Sequence, residues 1–598
     1  LAREESENAL SSDLFDALTV SQKTLAECGP PFEEGLAWLA LGRHYLAAGD
    51  LLSAQQAFEQ VLTIADRGGG APLTWEALHL LGNVAQRCGN PDDALAYYRR
   101  AIEKIETMRS DLYVEAFRAG FIADKLDVFA DLAMLHVRLG DLEEAFTIVD
   151  RAKSRLLAER LADRLDDQIA PLKAVENPRL QETADRLREV LQRLDGLHRQ
   201  ARLNETKERG GLWSVAPKPQ TLRETQQLED EALELSRQLE RHQPSSLPRA
   251  LKSALLSTDR CSDPVHNVTS GLEQPAGEAR RDRVLLQYHV AREQVWVFVV
   301  TDTGIVAHLK LATLAEVEAA QRRCSAAVER ALGLALSYGS DVLTRYLSSL
   351  LVDAHAQLVD LYNLVIRPLE AHLPLESALV ISPDGPLHHV PFHALRDGST
   401  YLVERHTISY VPSATVLALC TRHGVAGQGM LVMGYAGHHL DRIETEIGAV
   451  ADIFPEANLV KGAEATASRL LDKAPPCRIL HLAAHARFRK DRTMLSSFSL
   501  ADRRLTLSEI ARLRLGADLV TLSACETGRG RQYGADLISL AGGFLGAGAR
   551  SLLVSLWRVD DESTARLMSS FYRALRSGEG RAAALRAAQL DLLALGRE

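Results

Sequence analysis

Cysteine is sparse in this chain and follows no pattern. The seven residues, Cys28, Cys88, Cys261, Cys324, Cys420, Cys477 and Cys525, show no CxxC spacing and an odd total, which argues against a zinc cluster or a disulfide framework and favours a reducing compartment. Neither a metal nor a cofactor is expected, and the expected location is cytoplasmic. Long apolar runs are missing too. No stretch reaches the roughly 18 residues of a membrane helix, and no signal-peptide pattern is present. The chain begins at Leu1 rather than a methionine, so a segment ahead of it is allowed for. Nor does one sign of charge dominate. The 79 acidic and 69 basic residues leave a formal charge of −10, which gives no argument for nucleic-acid binding and points to protein partners.

What is present is bulk and repetition. At 598 residues, with 46% hydrophobic and 25% charged content, the chain can build several cores of ordinary soluble type. Its first part repeats. Trp38, Leu41-Gly42, Tyr45, Gly49-Asp50, Ala54 and Phe58 are echoed by Ala77, Leu81-Gly82, Ala85, Gly89-Asn90, Ala94 and Tyr98, and again by Ala133, Gly140-Asp141, Ala145 and Ile148. The turn glycines lie 40 and 51 residues apart, longer than the ~34 of an uninterrupted tetratricopeptide array. Longer helices or insertions, as at Gly68-Gly-Gly-Ala-Pro72, would account for the difference. Small residues such as Gly42 and Ala54 let two helices approach, and Tyr45 and Phe58 fill the gap between them. No single pair buries its apolar face, so neighbours stack into a solenoid whose concave side suits a protein partner. Residues 1–160 are read as this repeat domain.

Residues 161–245 are charged and helical in pattern. Leu180, Ala184, Leu187, Val190, Leu191 and Leu194 recur at helical spacing, and after Gly210-Gly211 and Pro217 to Pro219 so do Leu228, Leu233, Leu235 and Leu239. An antiparallel hairpin is predicted, with a seam too short and broken for a coiled coil. Residues 246–282, rich in Pro, Ser and polar side chains, read as a linker or surface loop. From Arg283 the period changes to short β-branched and aromatic runs, 284–290, 294–300 and 305–309, which predict an antiparallel strand group. Helices follow at 314–336 and 340–369. Strands then alternate with helices from Leu379 to the C-terminus, the pattern of a mainly parallel sheet covered on both faces. Residues 283–598 are read as one α/β domain, with an N-terminal part at 283–375 and a catalytic part at 376–598.

The chemistry gathers at two of these strands. Arg478-Ile-Leu-His-Leu-Ala-Ala484 delivers His485, and Asp518-Leu-Val-Thr-Leu-Ser-Ala524 delivers Cys525. Ligands and chemistry collect just past the carboxyl ends of parallel strands, so if the two strands are neighbours, imidazole and thiol emerge side by side. A free thiol, with a pKa near ~8.5, is only a few per cent thiolate at neutral pH. An adjacent imidazole can take its proton and later return it to a leaving amine. The tetrahedral oxyanion needs preorganised donors, for which the backbone N–H groups of Ala486 and Cys525 are the candidates.

The motifs His481-Leu-Ala-Ala-His-Ala486, Leu522-Ser-Ala-Cys-Glu-Thr-Gly528, Leu540-Ala-Gly-Gly-Phe-Leu-Gly-Ala-Gly-Ala549 and Ser555-Leu-Trp-Arg-Val-Asp-Asp561 resemble the CHAT family, caspase- and separase-like cysteine peptidases usually found behind tetratricopeptide repeats. Upstream, Ile381-Ser-Pro-Asp-Gly-Pro-Leu-His-His-Val-Pro-Phe392 and Tyr410-Val-Pro-Ser413 continue the resemblance, which covers roughly the last half of the chain. It implies a caspase-like α/β fold and a dyad of His485 and Cys525. It also implies a setting in bacterial defence, with activity gated by a partner. In caspase-like folds the segment matching Trp557 to Asp561 lines the substrate pocket, which suggests Trp557 as a pocket wall. Asp560 there would favour a basic substrate residue, and Asp536, after the glycine-rich 529–534 loop, either faces the cleft or caps the next helix. The acidic motif expected near 440–446 is only loosely present, leaving the roles of Glu444 and Glu446 open.

Two competing readings are set against these. His481 shares the strand parity of His485, so alternation does not separate them; inside the strand it is read as a hydrogen-bonded structural histidine. His388, His389 and His393 could suggest a metal, but only Asp384 and Asp397 stand near enough in sequence to complete a set, so a turn and packed segment is the reading adopted. The expectation is a multidomain cysteine endopeptidase acting on a protein substrate, an all-α repeat solenoid followed by an α/β domain, with the repeats recruiting substrate or a regulatory protein. The alternatives are a catalytically idle scaffold, or a regulator that cuts itself within 243–282.

Overall fold

A computed structural model describes residues 19–25, 29–110, 125–153, 157–158, 161, 186, 189–190, 193, 227–228, 231, 234–235, 238, 282–422, 427–435, 440–487, 489, 495–523, 530–533, 536–557 and 561–595. The chain forms two compact units, Leu1–Ala152 and Lys153–Glu598.

The first unit is helical throughout its described part. Helices α1 (Pro31–Ala48) and α2 (Leu51–Ile64), α3 (Ala71–Arg87) and α4 (Pro91–Ser110), and α5 (Leu126–Leu139) and α6 (Leu142–Ala152) pack as antiparallel pairs. Each pair turns at a glycine in the left-handed region, Gly49 at φ 83°, Gly89 at φ 79° and Gly140 at φ 84°, a conformation that costs a side chain about 1–2 kcal/mol. Asp50 and Asp141 follow two of them and accept from the N–H groups of Ser53 and Glu144, capping the next helix. Within the pairs, a Cβ at Gly42 would fall 2.4 Å from the Phe58 ring, and one at Gly82 2.4 Å from the Tyr98 ring. Both rings are fully buried. The insertion predicted at Gly68 to Pro72 is in part a π-helical turn, Ala65–Gly69.

In the second unit, the described residues of the two charged stretches at 161–245 are helical, and Arg186 donates to Glu231 at 2.9 Å across 45 residues, joining the two stretches. The linker read at 246–282 lies outside the described residues except for Asp282. Strands β1 (Arg283–Ala291), β2 (Gln294–Thr301), β3 (Gly304–Thr313), β4 (Ala378–Ser382) and β5 (Thr407–Tyr410) form one sheet in the order β3-β2-β1-β4-β5. The first three are antiparallel, as predicted, while β4 and β5 add to β1 in parallel. This sheet therefore runs across position 376, and its last two strands do not join the sheet that follows. One face, with Val284, Leu286, Tyr288, Val297 and Ile381, packs on helix α7 (Leu314–Val365). Thr313 and Glu316 start α7 with a reciprocal capping box.

Helix α7 folds back on itself. Arg323 pairs with Asp360, 37 residues on, at 3.3 Å, and Arg330 pairs with Asp353. A straight helix rising ~1.5 Å per residue would hold the first pair about 55 Å apart. The chain must reverse between Arg330 and Asp353, so that α7 comprises two antiparallel stretches where the sequence predicts two helices, 314–336 and 340–369, without fixing their orientation.

The second sheet is wholly parallel. Strands β6 (Met430–Tyr435), β7 (Asn458–Lys461), β8 (Ile479–Ala484), β12 (Leu519–Ser523) and β15 (Leu552–Val554) lie in the order β15-β12-β8-β6-β7. Near its upper edge are β9 (Ala486–Arg487), β10 (Ser497–Ser499) and β11 (Arg504–Thr506), an antiparallel trio, and the hairpin β13 (Gly530–Tyr533) and β14 (Asp536–Ser539). The hairpin corrects the sequence reading of a loop at 529–534, and the helix that follows begins at Leu540. Four-residue strands are too short for their alternation to outweigh the flanking glycines. The main sheet is buried on both faces, which is why its strands read as continuous apolar runs. Leu480, Leu482, Val520 and Leu522 face Leu507, Ile510 and Phe544. On the other face, Val432, Ala483 and Leu519 meet Ile447 and Val450 of α8 (Leu440–Ile453), Met568 and Phe571 of α9 (Asp561–Arg576), and Ala584 of α10 (Arg581–Leu595).

Candidate active site

Strands β8 and β12 are neighbours, in parallel register from Leu519↔Ile479 to Ser523↔Ala483. The last paired residues thus stand two positions before His485 on one strand and two before Cys525 on the other. The structure places His485 just past the end of β8, exposed, at the junction with the antiparallel trio. Its carbonyl accepts from the N–H of Ser499 at 2.8 Å, which fixes the backbone on the carboxyl side of the sheet. Cys525 lies outside the described residues.

The same ladder orients Ala486. It stands opposite Phe498, and because the adjoining bond runs from Ser499 to His485, this is a non-hydrogen-bonded pair. The Ala486 N–H consequently points away from β10. Trp557 is half-buried, three residues past the end of β15, at the same edge of the sheet where β8 and β12 end. Asp560 lies outside the described residues. Asp536 begins β14, its backbone paired with Tyr533, so it is not the cap of the helix at Leu540.

His481 occupies the sheet interior. It is fully buried, its Nδ1 lies 3.1 Å from the Tyr572 hydroxyl, and its Nε2 lies 3.4 Å from Oε1 of Glu446. The Tyr572 hydroxyl donates to Oγ1 of Thr521 at 2.8 Å. Sequence reading missed Glu446, Thr521 and Tyr572 as members of one set. The available signal was a carboxylate at the buried face of α8, beside Ile443, Ile447 and Val450. Glu444, by contrast, is half-exposed and reaches Lys461 at 4.0 Å.

Three of the other described thiols are disfavoured as nucleophiles by burial. Burial pushes Cys324 up to about 11 and Cys420 up to about 12, and it also raises Cys477. His393 Nδ1 lies 3.2 Å from the Tyr410 hydroxyl; Asp384 accepts from Val290 and Gly385, and Asp397 from Ser399 and Thr400. Among the described residues no group of three His, Cys, Asp or Glu side chains could hold a metal, and none of the helices is long and apolar enough to cross a membrane.

Family models match both parts of the chain. A CHAT domain model matches residues 355–598, and a tetratricopeptide repeat model matches residues 33–106. Tetratricopeptide repeat protein 28 of Mus musculus is 24% identical over 583 residues, covering 84% of this chain and 23% of that protein. The Homo sapiens protein of the same name is 24% identical over 292 residues, covering 38% of this chain and 12% of that protein. The chain thus spans less than a quarter of the length of these curated relatives. Among solved structures, the Saccharomyces cerevisiae separase–securin complex aligns with a TM-score of 0.40 at 10% identity, covering 93% of this chain and 49% of that one.

Proposed function

We propose, from a CHAT domain at residues 355–598 set behind tetratricopeptide repeats, that this chain is a cysteine endopeptidase. The observation that carries the reading is the adjacency of β8 and β12, whose parallel register ends two residues short of His485 and Cys525. In this reading His485 takes the thiol proton of Cys525, and the thiolate attacks the scissile carbonyl. The N–H groups of Ala486 and Cys525 hold the resulting oxyanion. Collapse of the tetrahedral intermediate transfers the proton from His485 to the leaving amine and forms a thioester, which water activated by His485 then hydrolyses. The orientation of the Ala486 N–H away from β10 supports its part. Trp557 forms a pocket wall, and Asp560 and Asp536 select a basic residue before the cut. The repeats recruit the protein substrate or a regulatory protein, whose binding gates the site.

The test is a proteome digest read by mass spectrometry, comparing the parent with Cys525→Ala and His485→Ala. New termini present in the parent and absent in both variants are expected. No new termini, together with failure of an acylating peptide to label Cys525 in the presence of binding partners, would leave a scaffold instead.

A further inference from the structure

Beneath the proposed dyad lies a buried polar chain that the mechanism above does not use. It draws one residue from each of four elements: Glu446 of α8, His481 of β8, Thr521 of β12 and Tyr572 of α9. His481 and Thr521 are direct neighbours across the two strands that lead to His485 and Cys525. His481, Thr521 and Tyr572 have no solvent exposure, and Glu446 has 5%. On its other side His481 pairs with Val432 of β6, and the polar groups at its ring nitrogens are Tyr572 and Glu446.

The hydrogen bonds have a direction. Tyr572 has one hydroxyl proton and gives it to Thr521, so toward His481 it can only accept, which fixes a proton on Nδ1 of the imidazole. The Nε2 edge lies 3.4 Å from Glu446 Oε1, and neither atom has a hydrogen-bond partner among the described residues. Two buried polar atoms this close, without water, stay costly unless they are held in register with each other. Such a chain holds its members at set distances because each alternative leaves a buried polar atom unpaired.

From this geometry we infer that Glu446, His481, Tyr572 and Thr521 are positioning residues. They fix the spacing of β8 and β12 and thereby hold the base at 485 against the thiol at 525. The role rests on the peptidase reading; the chain itself does not. Position 485 lies four residues beyond His481, just past the end of β8 and about 13 Å along the chain, so the set acts through the strands and touches no substrate. Tyr572 adds a second link, because α9 begins directly after the Trp557 to Asp560 segment and ties the pocket wall to the same point.

The experiment compares the full-length parent with Tyr572→Phe and Glu446→Gln, two near-isosteric changes, and uses His481→Asn only to assign the His481 ring signals. The first readout is imidazole ¹⁵N NMR. A ring protonated on Nδ1 is expected in the parent, with its shifts moved by both substitutions. The second is alkylation of Cys525 by iodoacetamide between pH 5 and 9, quantified by mass spectrometry. The parent is expected to react with a midpoint below that of a free thiol, and both variants with a midpoint about one unit higher and a rate about tenfold lower on the acid side. A role in general folding alone would not shift that midpoint. An unchanged alkylation profile in both variants overturns the positioning role. If the parent cysteine reacts as an ordinary thiol, the peptidase reading fails, and the ring spectra then decide. Shifts responding to both substitutions sustain the buried chain, and shifts responding to neither overturn it.

Discussion

The ring of Phe58 lies directly over Gly42, so close that a Cβ would come within 2.4 Å of it. The helix pair α1/α2 is set by that approach, and the relation recurs between Tyr98 and Gly82 in α3/α4. Gly42→Val is expected to destabilise the repeat unit by about 1–3 kcal/mol through overpacking. A fall in the thermal midpoint of the unit checks it. A rise would mean that the ring has room to move.

In the proposed mechanism His485 supplies the base, and His485→Ala should lower kcat/KM by about 10²–10⁴ at neutral pH. The deficit should shrink as pH passes about 8.5, where a thiol ionises unaided. A pH–rate comparison of parent and variant decides it, and a deficit that does not change with pH would remove His485 from the role of base.

If Asp560 pairs with a basic substrate residue, Asp560→Asn should reduce the preference for Lys or Arg before the cut roughly 10- to 100-fold, the worth of one charged hydrogen bond. Cleavage-site profiling measures this directly. An unaltered profile would assign the preference elsewhere, with Asp536 the next residue to change.

Lys153 is 3% exposed and donates to the carbonyl of Tyr288 at 3.0 Å, and to the carbonyl and hydroxyl of Ser382 at 3.2 and 2.8 Å. Lys153→Met should strand these acceptors and cost the α/β unit on the order of 2–5 kcal/mol. Denaturant titration checks the value. Lys153→Arg should not restore the loss, because a planar fork does not fit a site shaped for a compact ammonium.

Burial lowers His388 to about 3 and His393 to about 4. Above about pH 6.5 both are neutral whether the chain is folded or not, so their contribution is then complete. As pH falls from about 6.5 toward 4, the unfolded chain takes up protons that the folded one refuses, and stability drops by about 1.4 kcal/mol per pH unit for each histidine. Melting curves at pH 7, 6 and 5 should show the decline, and His393→Gln should make it shallower by about one proton.

The sequence carried the repeat helices, the antiparallel strands from Arg283 and the strands leading to 485 and 525, because each has a period or a continuous apolar run. The two helical stretches of α7 were also readable, though not that they run antiparallel. Other features left no such trace. Strands β9, β10 and β11 have two or three residues each, too few for alternation to register. That β4 and β5 pair with β1 rather than with β6 is a matter of long-range contact, and local pattern says nothing about it. The motifs pointed to His481 as structural, yet Glu446 and Tyr572 lie 35 and 91 residues from it, on helices whose meeting only the fold defines. The pocket residues were legible only through resemblance, since Asp536 and Asp560 stand in segments with no periodicity of their own.

The parallel pairing of β8 with β12 also limits how such a chain can vary. A one-residue deletion within Leu519–Ser523 would draw everything after it back by about 3.3 Å and turn each following side chain to the opposite face. A deletion at Leu519 would take Val520 and Leu522 out of the core together. Length can therefore change in the connections between these strands and helices, while the strands themselves admit substitution but not insertion or deletion. In this part of the molecule the number of residues constrains the fold as strictly as their identity.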